Sequence, residues 1–141
     1  MQKSVRSTSP SPLPARRKDH EFPAAVTRLG WRFHHLGIPT AFPRQDEKHL
    51  PAFGMFVSGF DTSPYGIEWM RFEESSPLPE IIRTLPHIAF VVDDLETALA
   101  GREILFPVGA PSGGVRTAMI LDDGAPVELM EFEGQGSSRT S

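Results

Sequence analysis

GIEWMRFE at residues 66–73 is echoed by PVELMEFE at 126–133: Glu68 falls on Glu128, Met70 on Met130, Phe72 on Phe132 and Glu73 on Glu133. Each string has a companion upstream, FHHLGIP at 33–39 and LPHIAFV at 85–91, in which His35 falls on His87. A repeat of roughly 50 residues is one supersecondary unit used twice, and a unit of that size cannot bury its own hydrophobic face. The two copies must therefore pack on each other. Each contributes one histidine and one carboxylate, so His35, Glu68, His87 and Glu128 make a set related by a pseudo-twofold axis. Two imidazoles and two carboxylates suit a divalent metal ion.

The second unit reads as βαβββ. HIAFVVDD (87–94) is a strand, Asp93 or Asp94 can cap the helical run LETALAG (95–101), and Gly101 stops it. EILFPVG, VRTAMILDDG and APVELMEFE follow as strands, with SGG and DDG as turns. The first unit begins and ends alike, with RFHHLGIP and YGIEWMRFE, and PAFGMFVSGF fits between them as strand. Its helix is short in support, because TAFPRQDEKHL carries an early proline and only about two turns before Pro51. The linker SSPLPEIIRTLP (75–86) has room for one helical turn over EIIRTL.

Strand alternation assigns the faces, since residues i, i+2 and i+4 share a side. One face holds Phe33, His35 and Gly37; Glu68, Met70 and Phe72; His87, Ala89 and Val91; Glu128, Met130 and Phe132. The other carries Leu36, Ile38, Ile67, Trp69, Ile88, Phe90, Val127 and Leu129, an apolar layer suited to covering by helices. The ligand candidates thus lie in a concavity lined by Phe33, Met70, Phe72, Met130 and Phe132, the expected substrate-binding residues. By the same alternation His34 points to the other face, and Trp69 and Phe90 belong to the core. Arg116 reads as an exposed strand arginine, and Gly113–Gly114 as a hairpin turn rather than a phosphate cradle.

Composition bounds the rest. The 141 residues, 39% of them hydrophobic, allow one compact domain. Cysteine is absent, which excludes disulfides, thiolate ligands and cysteine nucleophiles. Residues 1–30 carry six basic and two acidic side chains, so residues 31–141 hold a net −8 of the formal −4, against nucleic-acid binding by the folded part. RSTSPSPLPARRK lacks any apolar period, so residues 1–30 are expected to be a disordered basic head and 134–141 a flexible tail. No apolar run approaches the roughly 20 residues of a membrane helix, and no secretory core opens the chain. The expectation is a cytoplasmic protein without membrane or nucleic-acid partners, acting on a small molecule, with a homodimer as its own assembly.

Over residues 31–133 the chain resembles the vicinal oxygen chelate superfamily, which includes glyoxalase I, methylmalonyl-CoA epimerase, extradiol dioxygenases, and fosfomycin- and bleomycin-resistance proteins. The resemblance rests on His35 in HHLGI, Glu68 in GIEW, His87 in PHIAF and Glu128 in VELMEF. It implies an α+β fold in which two βαβββ modules, about 31–75 and 84–133, form a half-open mixed sheet around a metal held by those four residues. Two histidines with two glutamates look most like glyoxalase I, and the epimerase is similar. Both abstract a proton next to a carbonyl through a metal-stabilised enediolate or enolate.

The resemblance therefore implies a metal-dependent isomerase, epimerase or lyase, with nickel, cobalt, zinc, manganese or iron as the ion. Glu128 or Glu68 serves as the base, and the sequence does not choose between them. The alternatives are a non-catalytic ligand-binding or resistance protein, and a dioxygenase, which the second carboxylate disfavours.

Overall fold

The structure is a computed structural model, and it describes residues 20–134. The second module has the expected order: β5 (His87–Val91), α3 (Leu95–Leu99), β6 (Glu103–Ser112), β7 (Val115–Asp122) and β8 (Ala125–Phe132). Asp94 is the N-cap of α3, where its carboxylate accepts from the Thr97 hydroxyl. Asp123 and Gly124, with φ of 50° and 87°, make the two-residue turn joining β7 to β8. Positive φ at both positions is what a tight hairpin of this twist requires.

The first module departs from the expected βαβββ order. It runs β1 (Arg32–Pro39), β2 (Lys48–Leu50), a 3-10 turn at Pro51–Phe53, β3 (Met55–Ser58) and β4 (Ile67–Phe72), with no helix between β1 and β2. Pro43 breaks the segment, and too few residues remain before β2 to repay helix nucleation. Side chains of this loop cover the sheet instead. The Arg44 guanidinium lies 3.9 Å over the Trp69 ring, and Glu47 accepts two bonds from Arg71 at 2.9 and 2.7 Å. Arg71 in turn sits 4.4 Å over Phe56. Trp69 is accordingly half-buried beneath an arginine, not part of a helix-packed core.

All strands join one eight-stranded sheet of order β2-β3-β4-β1-β5-β8-β7-β6. β1 pairs parallel with β4, β5 pairs parallel with β8, and the modules meet through antiparallel β1–β5. This is the two-module symmetry that the repeat implies. On the convex side α3 places Leu95, Ala98 and Leu99 over Phe90, Ala118, Ile120 and Leu129. A five-residue helix is not stable alone, so this contact holds it, each buried leucine contributing about 1.5–3 kcal/mol.

Inside the curl, Met55, Met70 and Met119 pack with Leu78 and Ile82, which come from the linker and its helix α2 (Glu80–Thr84). Phe53 meets Phe106 edge-on at 5.9 Å, so the two ends of the sheet touch. The linker thereby plugs one end of the cup.

A helix also precedes residue 31. α1 (Ala24–Thr27) is a single turn whose Ala25, with Trp31, packs on the convex core. Residues 1–19 of the expected head and 135–141 of the expected tail lie outside the described residues.

Candidate metal centre

Three of the four ligand candidates meet. Ligand atoms of His35, His87 and Glu128 all lie within 4.8 Å of one another, and both imidazoles are buried. Glu128 Oε1 stands 3.0 Å from His87 Nε2 and 3.2 Å from His35 Nε2. The register explains the meeting: Gly37 lies opposite His87 and beside Glu68, while Ala89 lies beside Glu128. Small residues between the ligands leave the imidazoles room. Glu68 falls outside the triad, although its Oε1 approaches His35 Nε2 to 3.4 Å.

The donor set fits a divalent ion. His35 Nε2 is buried and makes no hydrogen bond despite two carboxylate oxygens at 3.2 and 3.4 Å, because neither lies in line with it. His87 Nε2 and Glu128 Oε1 are hydrogen-bonded at 3.0 Å, so the unpartnered Nε2 of His35, beside the same carboxylate, is the atom that a bound ion would satisfy. His35, His87 and Glu128 would hold the ion through two imidazole nitrogens and a carboxylate oxygen, donors that suit a borderline divalent metal. Among the described residues the other cluster of this kind is Asp94, Glu96 and Glu131, in which Arg116 already pairs with Glu96 and Glu131, and Asp94 accepts from Thr97. Arg116 is thus an ion-pair residue of the convex surface.

Charge distinguishes the two glutamates. Burial opposes ionisation of Glu128, but its contacts with His35 and His87 outweigh that and hold its carboxyl down to about 2. Burial pushes Glu68 the other way, above the usual carboxylate range, with the charge of His35 only partly opposing the rise. Burial also works against a proton on His35, yet Glu128 and Glu68 together raise its pKa above the ordinary value. Glu128 is therefore a fixed anion, and Glu68 a carboxylate of raised basicity.

Alternation misassigns two neighbours of His35. The β1–β5 register shifts between Phe33 and His35, and this β-bulge takes up His34 as an extra residue. Phe33 now lies opposite Phe90, whose ring packs on Trp31 in the convex core, so Phe33 leaves the expected cup lining. His34, expected on the other face, enters the cup: its Nδ1 is 2.8 Å from His35 Nδ1 and its ring stacks on Phe60.

The remaining lining residues divide by depth. Met70 is fully buried in the plug, and Phe72 packs on the same cluster. Met130 is buried with Ala89 and Val115, and Phe132 packs on them. A cavity of about 50 Å³ reaches His87 and Glu128 from the plugged end, between Met70, Ile82, Phe106 and Met119.

A larger open groove, about 690 Å³, reaches Glu68 from the first module, past Arg44, Lys48, Val57 and Phe60. The groove residues other than Glu68 carry no sequence signal, because they come from loops and from the edge strands outside the repeat.

No protein-family model and no curated protein matches the chain. Solved structures do. A hypothetical protein from Bacillus halodurans C-125 superposes with a TM-score of 0.57 at 18% identity, over 74% of this chain and 96% of its own. Methylmalonyl-CoA epimerase from Mycobacterium tuberculosis superposes with a TM-score of 0.53 at 18% identity, over 76% of this chain and 91% of its own. Identity this low speaks to fold, and the fold is that of the vicinal oxygen chelate proteins, here with a His, His, Glu cluster able to hold a metal.

Proposed function

We propose that the protein is a metal-dependent isomerase, epimerase or lyase that removes a proton next to a carbonyl of a small oxygenated substrate. The observation that carries this reading is the division of labour between the glutamates. His35, His87 and Glu128 form the ligand triad, while Glu68 stands beside it, of raised basicity and facing the open groove. Its side chain is 23% exposed against 15% for Glu128, so it is the carboxylate a substrate would meet first.

A divalent ion held by His35, His87 and Glu128 would supply Lewis-acid stabilisation of negative charge developing on a substrate oxygen. Glu68 takes the proton from carbon and returns it, at the same or the neighbouring carbon. Burial is the largest cause of the rise at Glu68, so its partial removal from water keeps the carboxylate basic. The structural likeness to an epimerase agrees with this class of chemistry.

The test is exchange of carbon-bound hydrogen with solvent deuterium, screened over hemithioacetals, 2-methylacyl thioesters and keto or hydroxy sugars. Glu68→Gln should keep the metal and lose exchange by about 10²- to 10⁴-fold, the usual worth of a general base. Exchange that persists in metal-loaded Glu68→Gln would remove Glu68 from the reaction.

A second reading has one specific observation behind it: with Glu68 outside the triad, the ligands are two histidines and one carboxylate, the pattern of iron oxygenases. Oxygen uptake by the ferrous-loaded protein, with no deuterium exchange, would favour that reading. Ligand binding with neither activity would favour a sequestering protein.

A further inference from the structure

The bulge in β1 brings His34 against His35, with Nδ1 to Nδ1 at 2.8 Å. Two imidazole nitrogens at that distance share one proton, so one ring donates and the other accepts. The metal reading decides which. If His35 gives its Nε2 lone pair to an ion, its single proton sits on Nδ1, and His34 Nδ1 must be the acceptor.

We infer that His34 is a positioning residue, whose Nδ1 accepts the Nδ1–H of His35 and so fixes the tautomer and ring angle in which His35 Nε2 is free to bind a divalent ion. This role rests on the metal centre described above.

The surroundings hold His34 in that orientation. Its ring is stacked on Phe60 with centroids 4.8 Å apart and planes inclined by 11°, and Phe132 lies 5.6 Å away. It is half-buried, so a single water would be a poor substitute for the acceptor. Metal-ligating histidines generally have such a partner on the second nitrogen, and losing it costs about 10- to 100-fold in metal affinity. Here the partner is a second imidazole, brought to the right face by one inserted residue.

Zinc is the probe. Calorimetric titration of the full chain is compared for wild type, His34→Phe and His34→Asn, with thermal melts confirming that each variant folds. Phenylalanine keeps the stack on Phe60 and offers no acceptor, while asparagine offers a side-chain oxygen near the Nδ1 position. His34→Phe is expected to weaken zinc binding about 10- to 100-fold, and His34→Asn to recover most of the loss.

In nitrogen-15-labelled, zinc-loaded wild type, the ring spectrum should show a proton on His35 Nδ1 coupled through the hydrogen bond to His34 Nδ1. Wild-type affinity in His34→Phe, equal weakening in both variants, or a proton resident on His34 Nδ1 would each overturn the role while leaving the metal centre standing. A wild-type protein that binds neither zinc nor another divalent ion would overturn the centre, and the role with it.

Discussion

The imidazole of His87 occupies the space directly over Gly37, its cross-strand partner: a Cβ added at residue 37 would lie 2.3 Å from His87 Cε1 and under 3 Å from both ring nitrogens. Backbone strain is not involved, since Gly37 has an ordinary extended conformation. Gly37→Ala should therefore fold, at an overpacking cost of about 1–3 kcal/mol, and bind metal far more weakly because the ligand ring is displaced. Thermal melts and zinc titration measure the two effects. Unchanged zinc affinity would place His87 outside the metal site.

Acid and base should destabilise the metal-free protein for different reasons. Glu128 is depressed below its unfolded value of 4.5, so its stabilisation is full above that pH and is lost as pH falls toward about 2. His35 is raised above 6.5, so its contribution is full below 6.5 and is lost as pH rises through the folded value. Glu68, raised above 4.5, contributes fully below that pH, and its contribution is lost as pH rises from 4.5 through its folded value. Chelated protein should thus be most stable near pH 4.5 and decline more steeply above 6.5, whereas metal affinity should climb with pH as His35 gives up its proton. Urea melts of wild type and Glu128→Gln across these pH values check this, the variant losing both slopes attributed to the contacts between Glu128 and the histidines.

Much of this site is legible in the sequence because the repeat carries its own register. Glu68 and Glu128 are equivalent positions on equivalent strands, and alternation puts both on the face of His35 and His87. The failures share one cause: features created by a single inserted or unrepeated residue. The β-bulge at His34 reverses the faces of Phe33 and His34 without any mark in FHHLGIP. The first module replaces its helix by Arg44 and Glu47 acting across the sheet, contacts that no local pattern announces. The separation of Glu68 from the triad is likewise invisible, because the repeat treats the two glutamates as equals.

The plug should matter for stability and not for metal. Ile82 is buried beside Met70 and Met119 at the closed end of the cup. Ile82→Ala should cost about 2–4 kcal/mol, since the surrounding methionines collapse only partly into the space left. Denaturant midpoints report the loss, and zinc titration should give near-wild-type affinity. A large fall in affinity would show that the linker helix also shapes the ligand triad.

The central claim is that His35, His87 and Glu128 hold a divalent ion, and it is tested most directly by elemental analysis of protein purified without a chelating tag. Spectra of the cobalt-substituted form of wild type, His87→Ala and Glu128→Gln complete the measurement. Wild type should carry close to one ion per chain and melt higher when loaded, by a free energy of about 2.7 kcal/mol at one hundred times Kd. Both variants should lose most of that metal and of the cobalt spectrum. A wild type that holds no metal, or variants that bind it as tightly as wild type, would contradict the account.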